Sequence, residues 1–452
     1  MAIRRVLVAN RGEIAVRIIR ACRDLGIETV AVFSEADRDT LATQLADKAV
    51  CIGPAQAKQS YLNADALLVT ALHTGCDALH PGYGFLAENA EFADECARNG
   101  IQFIGPRGDT MRGLGDKLPA RDTAERLGIP VVPGGTLDGS AASADAVLEQ
   151  IGLPLLIKAS AGGGGRGLRR VDDTADLAGA LAQSAAEADA AFGNPTLYVE
   201  RYIERGRHIE VQIVGDRYGN VIHLFERDCT TQRRYQKLVE EAPSPILDDA
   251  ARNAITDSAC RLARGMGYEG AGTVEFLFDL DTGEHYFIEM NTRLQVEHPV
   301  SELLTGLDLV RLQLLVTSGE PLPVSQDEVT MSGHVIEFRV NCEDPGNGFL
   351  PAAGTVRRWR PPAGPWVRLD THMEQGRAVP PYYDSLLAKL IVWGDTREQA
   401  LERSRRCLAE FAVDGVPTTL PFHSWLVAQP DFISSNLHTT WVDSNWKGAR
   451  RP

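Results

Sequence analysis

The stretch GTVEFLFDLDTGEHYFIEMNTRLQVEH, residues 272–298, decides how the chain is read. Aromatic and β-branched runs flank the turn-type cluster DLDTGE, which predicts a β-hairpin. A hairpin centred near Thr282 sets Glu275 opposite Glu289, with Asn291 two residues further along the same face. From Glu289 onward every second residue is polar: Glu289, Asn291, Arg293, Gln295 and Glu297. Side chains alternate in an extended chain, so this spacing predicts one continuous polar row. Like charges facing each other across a sheet repel. On a wet surface that cost is small; in a cleft it calls for a cation between the carboxylates. Two carboxylates and an amide oxygen are a hard, all-oxygen set suited to Mg²⁺ or Mn²⁺ held jointly with phosphates. By itself the hairpin is read equally well as an exposed acidic surface.

A second signal lies upstream. KASAGGGGRG, residues 158–167, holds four consecutive glycines after an apolar strand. Such a run lets backbone N–H groups approach an anion closely. It lacks the GK[ST] ending of a Walker A loop, and the LRRV that follows reads as a returning strand. The loop therefore caps a hairpin, with Lys158 at its base and Arg166 inside it. Phosphates need both neutralising N–H groups and a bridging metal, so loop and hairpin support one another. A third signal, ERDCTTQRRYQKLVEEAP at 226–243, packs Arg233, Arg234 and Lys237 together. A charge run is usually a solvated face; flanked by apolar strands, this one fits a turn at a cleft edge.

Working outward, RRVLVAN, a helix with Ile14, Ile18, Cys22 and Leu25 at helical spacing, and TVAVF form a βαβ unit. Strands and helices go on alternating to about residue 113, which argues for a parallel α/β sheet. Residues 131–203 read as a small lid around the glycine loop. The segment 114–330, lid included, forms the central domain, and 331–446 a C-terminal α+β domain. There, Asp395 with Glu398 has a capping-box spacing that opens a helix.

At 452 residues the chain exceeds a single core, and its net charge is −15. An acidic balance disfavours nucleic acid, whose binding rests on Lys and Arg. A local basic pocket for small anions is still compatible with it. No apolar run reaches the roughly 18 residues of a membrane helix, and Glu13 interrupts any signal-type start. The expected location is cytoplasmic, without membrane or nucleic-acid partners. Eight scattered cysteines with no CxxC read as reduced thiols.

The ordered series ANRGEIAVRIIRA, HPGYGFLAEN, GDK, KASAGGGGRG, RHIEVQ, ERDCTTQRRYQKLVEEAP, EFLF, FIEMNTRLQVEHPVSE, GHVIEFRVNCEDP and PPYYDSLLAKLI strongly resembles the biotin carboxylases of the ATP-grasp family, over about residues 1–446. The resemblance implies an ATP-grasp fold with a Rossmann-like N-terminal domain. It also implies that ATP phosphorylates bicarbonate to carboxyphosphate, which carboxylates N1′ of biotin on a carrier protein. It implies contacts to ATP from Lys117, Lys158, Gly164, Gly165, Glu200, Arg201, Tyr202, Ile203, His208, Gln232, Tyr235 and Leu437. Glu275, Glu289 and Asn291 would hold two Mg²⁺ or Mn²⁺ ions. Lys237, Arg293, Gln295 and the Val296 backbone would hold bicarbonate, and Glu297 would be the base. Arg339 would stabilise the biotin enolate, and Tyr83 would pack the ureido ring.

Two positions depart from the family pattern: Tyr235 stands where many relatives carry His, and Ala161 where many carry a further glycine. With no Met-Lys-Met biotin-attachment motif and no room for a carboxyltransferase domain, the chain resembles a freestanding, homodimeric subunit. The implied partners are a carrier protein and carboxyltransferase subunits, in an acetyl-CoA or related acyl-CoA carboxylase of fatty acid biosynthesis. The competing readings are another bicarbonate-using ATP-grasp ligase and a nucleotide-binding subunit without catalysis.

Overall fold

The computed structural model describes residues 3–115, 117–137, 147–159 and 168–448. The N-terminal sheet has five strands: β1 (Arg5–Val8), β2 (Glu28–Ser34), β3 (Lys48–Gly53), β4 (Ala78–His80) and β5 (Gln102–Phe103). Their order is β3-β2-β1-β4-β5, all parallel. Parallel sheets bury both faces, and the alternation in β1 does this directly. Leu7 packs into one core with Val30, Leu67 and Phe92, while Val6 and Val8 pack into another with Ile14 and Ile18. Helix Gly12–Asp24 buries Ile14, Ile18 and Cys22, as its spacing predicts.

The lid sheet contains β6 (Gly134–Leu137), β7 (Leu155–Ala159), β8 (Arg169–Val171) and β9 (Leu197–Arg201), in the antiparallel order β6-β9-β7-β8. Strand β6 is an addition to the expected elements. Helix Thr174–Phe192 covers this sheet, and Leu155, Ile157, Leu177 and Val199 form its separate core. β7 and β8 pair antiparallel, as the hairpin reading requires. The glycine loop between them, with Ala161, Gly164, Gly165 and Arg166, lies outside the described residues.

The central sheet is built from β10 (Gly206–Gly215), β11 (Val221–Arg233), β12 (Gln236–Ala242), β13 (Gly270–Asp279), β14 (His285–Asn291) and β15 (His334–Asn341), with strands Leu386–Gly394 and Val367–Thr371 beyond β15. The order is β14-β13-β10-β11-β12-β15, then 386–394, then 367–371, every neighbour antiparallel. One sheet thus crosses position 330 and joins the central segment to the C-terminal one. Along β13, Val274, Phe276 and Phe278 turn toward helix Asp249–Gly265 and its core. Alternation sends Thr273, Glu275 and Leu277 to the opposite face, which is the floor of a cleft. In the C-terminal region Phe338, Leu390, Leu401, Phe422 and Trp441 share a core. Helix Arg397–Glu410 is capped by Thr396, whose hydroxyl accepts from the Gln399 N–H, and not by the expected Asp395. The Thr side chain reaches the third N–H from its own position, as an N-cap must.

Among the described residues no helix is long and apolar enough to cross a membrane. All eight cysteines are unpaired and only Cys51 is exposed, in line with reduced thiols.

Candidate functional site

A cleft of about 1100 Å³ is lined by residues of all these parts, from Tyr83 and Glu88 through Lys158 and Glu289 to Arg339 and Ser385. Its floor is set by sheet register. Glu275 lies opposite Glu289, and Thr273 opposite Asn291, as the hairpin centre near Thr282 requires. The row continues inward, because Glu275 also pairs with Glu210 and Glu210 with Arg227. Glu210 and Arg227 were absent from the expected site. Their signal is alternation: His208, Glu210 and Gln212 are polar positions between the buried Ile209, Val211 and Ile213.

These charges are buried, and each is matched. Lys237 donates to Glu275 at 2.9 Å, to Glu297 at 2.6 Å and also to Glu210. Glu275 also accepts from Asn291 Nδ2 at 2.9 Å and Gln295 Nε2 at 3.1 Å, and His208 Nε2 stands 3.1 Å from its other oxygen. Burial alone would raise the Glu275 carboxyl; Lys237 and His208 overcome it and hold it well below the usual carboxylate range. Burial would lower the His208 imidazole, but Glu275 raises it.

Glu297 is clamped from both sides: Lys237 on one oxygen, Arg339 Nη2 at 2.8 Å on the other. Arg339 Nε in turn donates to Glu240 at 2.6 Å. Arg293 Nε donates to Glu88 at 2.9 Å, and its Nη2 to Asn291 Oδ1 at 3.0 Å. Gln295 Oε1 accepts from Arg227 at 2.9 Å, and the Val296 carbonyl from Lys389 at 2.9 Å. Tyr83 lines the cleft and donates its hydroxyl to Glu13.

The expected single row of five polar side chains does not hold. Strand β14 ends at Asn291, and Glu297 is the N-cap of helix His298–Thr305, with Pro299 in its first turn. Proline pre-sets helical φ at a first turn, so the sequence bends there. Gln295 and Glu297 still reach the cleft, through turns rather than through alternation.

On the lid side Lys158 forms an ion pair with Glu200, and both line the cleft with Tyr202, Ile203, His208 and Gln232. Arg201 also borders it, its guanidinium donating to the Tyr286 hydroxyl at 2.7 Å. The basic run forms the β11–β12 hairpin, whose tip is Arg234 and Tyr235, both with positive φ and both on the cleft rim. Leu437 is away from the lining: it sits in the C-terminal core, its carbonyl accepting from Arg207 at 3.1 Å. Lys117 opens helix Lys117–Arg126, and its side chain lies outside the described residues.

Among the described residues the tightest groups of ligating atoms are His208, Glu210 and Glu275, and Glu210, Cys229 and Glu297, each within 4.8 Å. Both include Glu210, which the Lys237 ammonium already pairs. Glu275 and Glu289, carboxylates at opposed positions of the hairpin, have the chemistry that suits a divalent ion, and Asn291 lies two residues along, its Oδ1 accepting from Arg293.

Three family models match: "Biotin carboxylase, N-terminal domain" over 2–111, "Carbamoyl-phosphate synthase L chain, ATP binding domain" over 116–325, and "Biotin carboxylase C-terminal domain" over 337–444. The sequence is 49% identical over 444 residues to biotin carboxylase 1 of Bacillus subtilis, covering 98% of both chains. It is 47% identical to a pyruvate carboxylase subunit of Methanothermobacter thermautotrophicus, covering 98% of this chain and 90% of that one. Among solved structures, the biotin carboxylase of Campylobacter jejuni superposes with a TM-score of 0.94 at 45% identity, covering 98% and 99% of the two chains. The biotin carboxylase domain dimer of Hydrogenobacter thermophilus 2-oxoglutarate carboxylase, in complex with MgADP, ADP and bicarbonate, gives 0.93 at 45% identity, covering 98% of both.

Proposed function

The chain belongs to the biotin carboxylase family of ATP-grasp enzymes, and on that basis we propose which of its residues carry the reaction. The activity is ATP- and Mg²⁺-dependent carboxylation of biotin with bicarbonate. The observation that carries the assignment of roles is the clamp on Glu297, a buried carboxylate held between two cations.

Bicarbonate is a poor nucleophile until its proton leaves. It binds at Arg293, Gln295 and the Val296 backbone, beside Lys237. Glu297 accepts its hydroxyl proton as the freed oxygen bonds to the γ-phosphorus and the bond to ADP breaks. Lys237 and Arg293 stabilise the charge that develops on that oxygen. The product is carboxyphosphate. The bond from its carboxyl carbon to phosphate breaks, the released phosphate takes the N1′ proton of biotin, Arg339 stabilises the resulting ureido enolate, and N1′ bonds to the carboxyl carbon. Tyr83 packs against that ring. Glu275, Glu289 and Asn291 would hold the metal, which when bound neutralises charge between the phosphates. Lys158 serves the phosphates with Lys117 and the glycine loop. Glu200 to Ile203, His208, Gln232 and Tyr235 border the nucleotide, Tyr235 through hydrogen bonding only, since a phenol carries no positive charge at neutral pH. Leu437 contributes through core packing behind the cleft.

Relatives include subunits and domains of larger carboxylases. We propose a biotin carboxyl carrier protein and carboxyltransferase subunits as partners, a homodimer, a cytoplasmic location, and a domain division at about 113 and 330. The transferase partner sets the final acceptor, for which we propose an acyl-CoA. Mass spectrometry of the biotinylated protein that co-purifies tests the partners.

The roles are tested by ATP hydrolysis with and without bicarbonate, then with free biotin. Bicarbonate-dependent turnover coupled to carboxybiotin is expected, and a requirement for ammonia would overturn the reading. Glu297→Gln should nearly abolish turnover while MgATP still binds; loss of both together would assign Glu297 a structural role.

A further inference from the structure

Lys389 is a lysine with no exposed surface, in the middle of the apolar strand Leu386–Gly394. A buried ammonium is costly unless acceptors surround it. Its partners, one hydrogen-bond acceptor and two carboxylates in ion pairs, come from three separate segments. The Val296 carbonyl lies at 2.9 Å, Glu13 Oε2 at 3.1 Å and Asp370 Oδ2 at 3.9 Å. Asp370 is already committed to Arg368, by two hydrogen bonds of 2.8 and 2.7 Å. The close partners of Lys389 are therefore a carboxylate of the N-terminal domain and a backbone carbonyl of the site.

Glu13 lies in the first turn of helix Gly12–Asp24 and is itself buried. Its other oxygen accepts the hydroxyl of Tyr83 on the cleft wall. Tyr83, Glu13, Lys389 and the Val296 carbonyl are thus linked in series between two walls of the cleft, by a hydrogen bond at each end and an ion pair between Glu13 and Lys389.

The carbonyl at the end of that chain matters because of where it sits. Beyond Asn291 the site segment has left the sheet, so no strand ladder fixes its peptide planes. Side chains do so instead: Glu88 accepts from the Thr292 N–H at 3.1 Å and Arg293 donates to the Leu294 carbonyl at 3.3 Å, and two more act nearest the base. His298 Nδ1 is 2.7 Å from the Gln295 carbonyl, and Lys389 holds the Val296 carbonyl. A peptide unit is planar, so pinning the Val296 carbonyl also fixes the N and Cα of Glu297. Glu297 must in turn present one oxygen to Lys237 and the other to Arg339.

We infer that Lys389 and Glu13 are positioning residues: a buried strut that fixes the peptide carrying Glu297 and ties it to Tyr83, so that the base and the opposite cleft wall are set together. This rests on the role proposed for Glu297. Lys389 is fully buried and does not line the cleft, so it acts through the backbone of the base. A displacement of the base of about 1 Å would be felt strongly, because such misplacement costs on the order of 100-fold in rate.

The test is steady-state kinetics of full-length Lys389→Met, Glu13→Gln and the double variant, varying bicarbonate and MgATP separately. For Lys389→Met, kcat/KM for bicarbonate should fall by about 10- to 100-fold, with KM for MgATP unchanged. Glu13→Gln keeps a hydrogen-bonding oxygen and should show a smaller fall of the same kind. Because the two act through one strut, the double variant should be no worse than Lys389→Met alone. Should Lys389→Met fail to fold, Glu13→Gln and Tyr83→Phe carry the same bicarbonate-against-MgATP comparison. Unchanged bicarbonate kinetics in folded variants would overturn the strut, as would parallel losses for MgATP and bicarbonate or additive effects. Wild-type protein without bicarbonate-dependent turnover would instead remove the proposed role of Glu297, so the two failures are distinguishable.

Discussion

The Lys237 ammonium lies 2.6 Å from the Glu297 carboxylate, joining the start of a strand to the cap of a helix across the floor of the cleft. Burial alone would raise the Glu297 carboxyl, but Lys237, then Arg339, hold it well below the usual range. The base is therefore ionised throughout the neutral range and ready to accept a proton. Removing one cation should undo part of this. Lys237→Gln is expected to move the acid limb of kcat/KM for bicarbonate to higher pH, besides lowering the rate. The profile is measured against the concentration of bicarbonate ion actually present at each pH. An acid limb at the wild-type position would mean that Lys237 does not set the ionisation of Glu297.

Arg227 has no exposed surface and satisfies its whole fork: Glu210 at 2.6 Å, Gln212 at 2.8 Å, Gln295 at 2.9 Å, Ser301 at 3.0 Å and Thr273 at 3.1 Å. Without it Glu210 keeps only Lys237, and four polar side chains lose a donor. Breaking a buried pair by removing one partner costs about 3–5 kcal/mol. Arg227→Met should lose that much in chemical unfolding, and Arg227→Lys most of it, because an ammonium cannot reproduce the fork. A loss below about 1 kcal/mol, the size of a surface ion pair, would contradict the structural role.

Glu289 faces Glu275 across the hairpin. If the two share a divalent ion, Glu289→Gln should raise the Mg²⁺ concentration needed for half-maximal ATP cleavage by about tenfold or more. An unaltered Mg²⁺ titration would exclude Glu289 as a ligand.

The hairpin was legible in the sequence from two independent signals, strand alternation and a turn cluster, with its centre placed near Thr282. That centre matches the pairs of Thr273, Val274 and Glu275, whereas Phe276, Leu277 and Phe278 pair one residue out, with Phe287, Tyr286 and His285, and an irregularity between Glu275 and Phe276 brings Glu275 opposite Glu289. The far end of the same stretch was misread, since alternation cannot show that β14 stops at Asn291 and that Pro299 starts a helix. The supporting charges were harder to see. Glu210 and Lys389 stand singly between apolar neighbours, Arg227 and Glu240 stand among other charges, and the partners of all four lie 15 or more residues away in the chain. A lone charge inside an apolar strand was nevertheless a usable signal, because burial forces it to find a partner. Glu88 brings the N-terminal domain to Arg293 across 205 positions, a pairing that only the folded chain displays.

Glu240 is where pH should act on the biotin step. It is fully buried, its Cα partner is the equally buried Glu337, and one oxygen accepts from Arg339 Nε at 2.6 Å. Burial pushes its carboxyl up to about 7, against the pull of Arg339 and with the help of Glu297; Lys237 opposes more weakly. Burial also raises the Glu337 carboxyl well above the usual carboxylate range, with Lys389 and Arg339 acting against the rise and Glu240 adding to it. As pH rises through about 7, Glu240 gains its charge and tightens its hold on Arg339, the residue assigned to the biotin enolate. Carboxybiotin formation should therefore increase through this region, whereas bicarbonate-dependent ATP cleavage without biotin should lack that step. Glu240→Gln retains a hydrogen-bond acceptor but cannot titrate, so it should remove the step near neutrality and leave KM for MgATP unchanged. A wild-type-like step in the Gln variant would assign the titration to another group and leave Glu240 with packing alone.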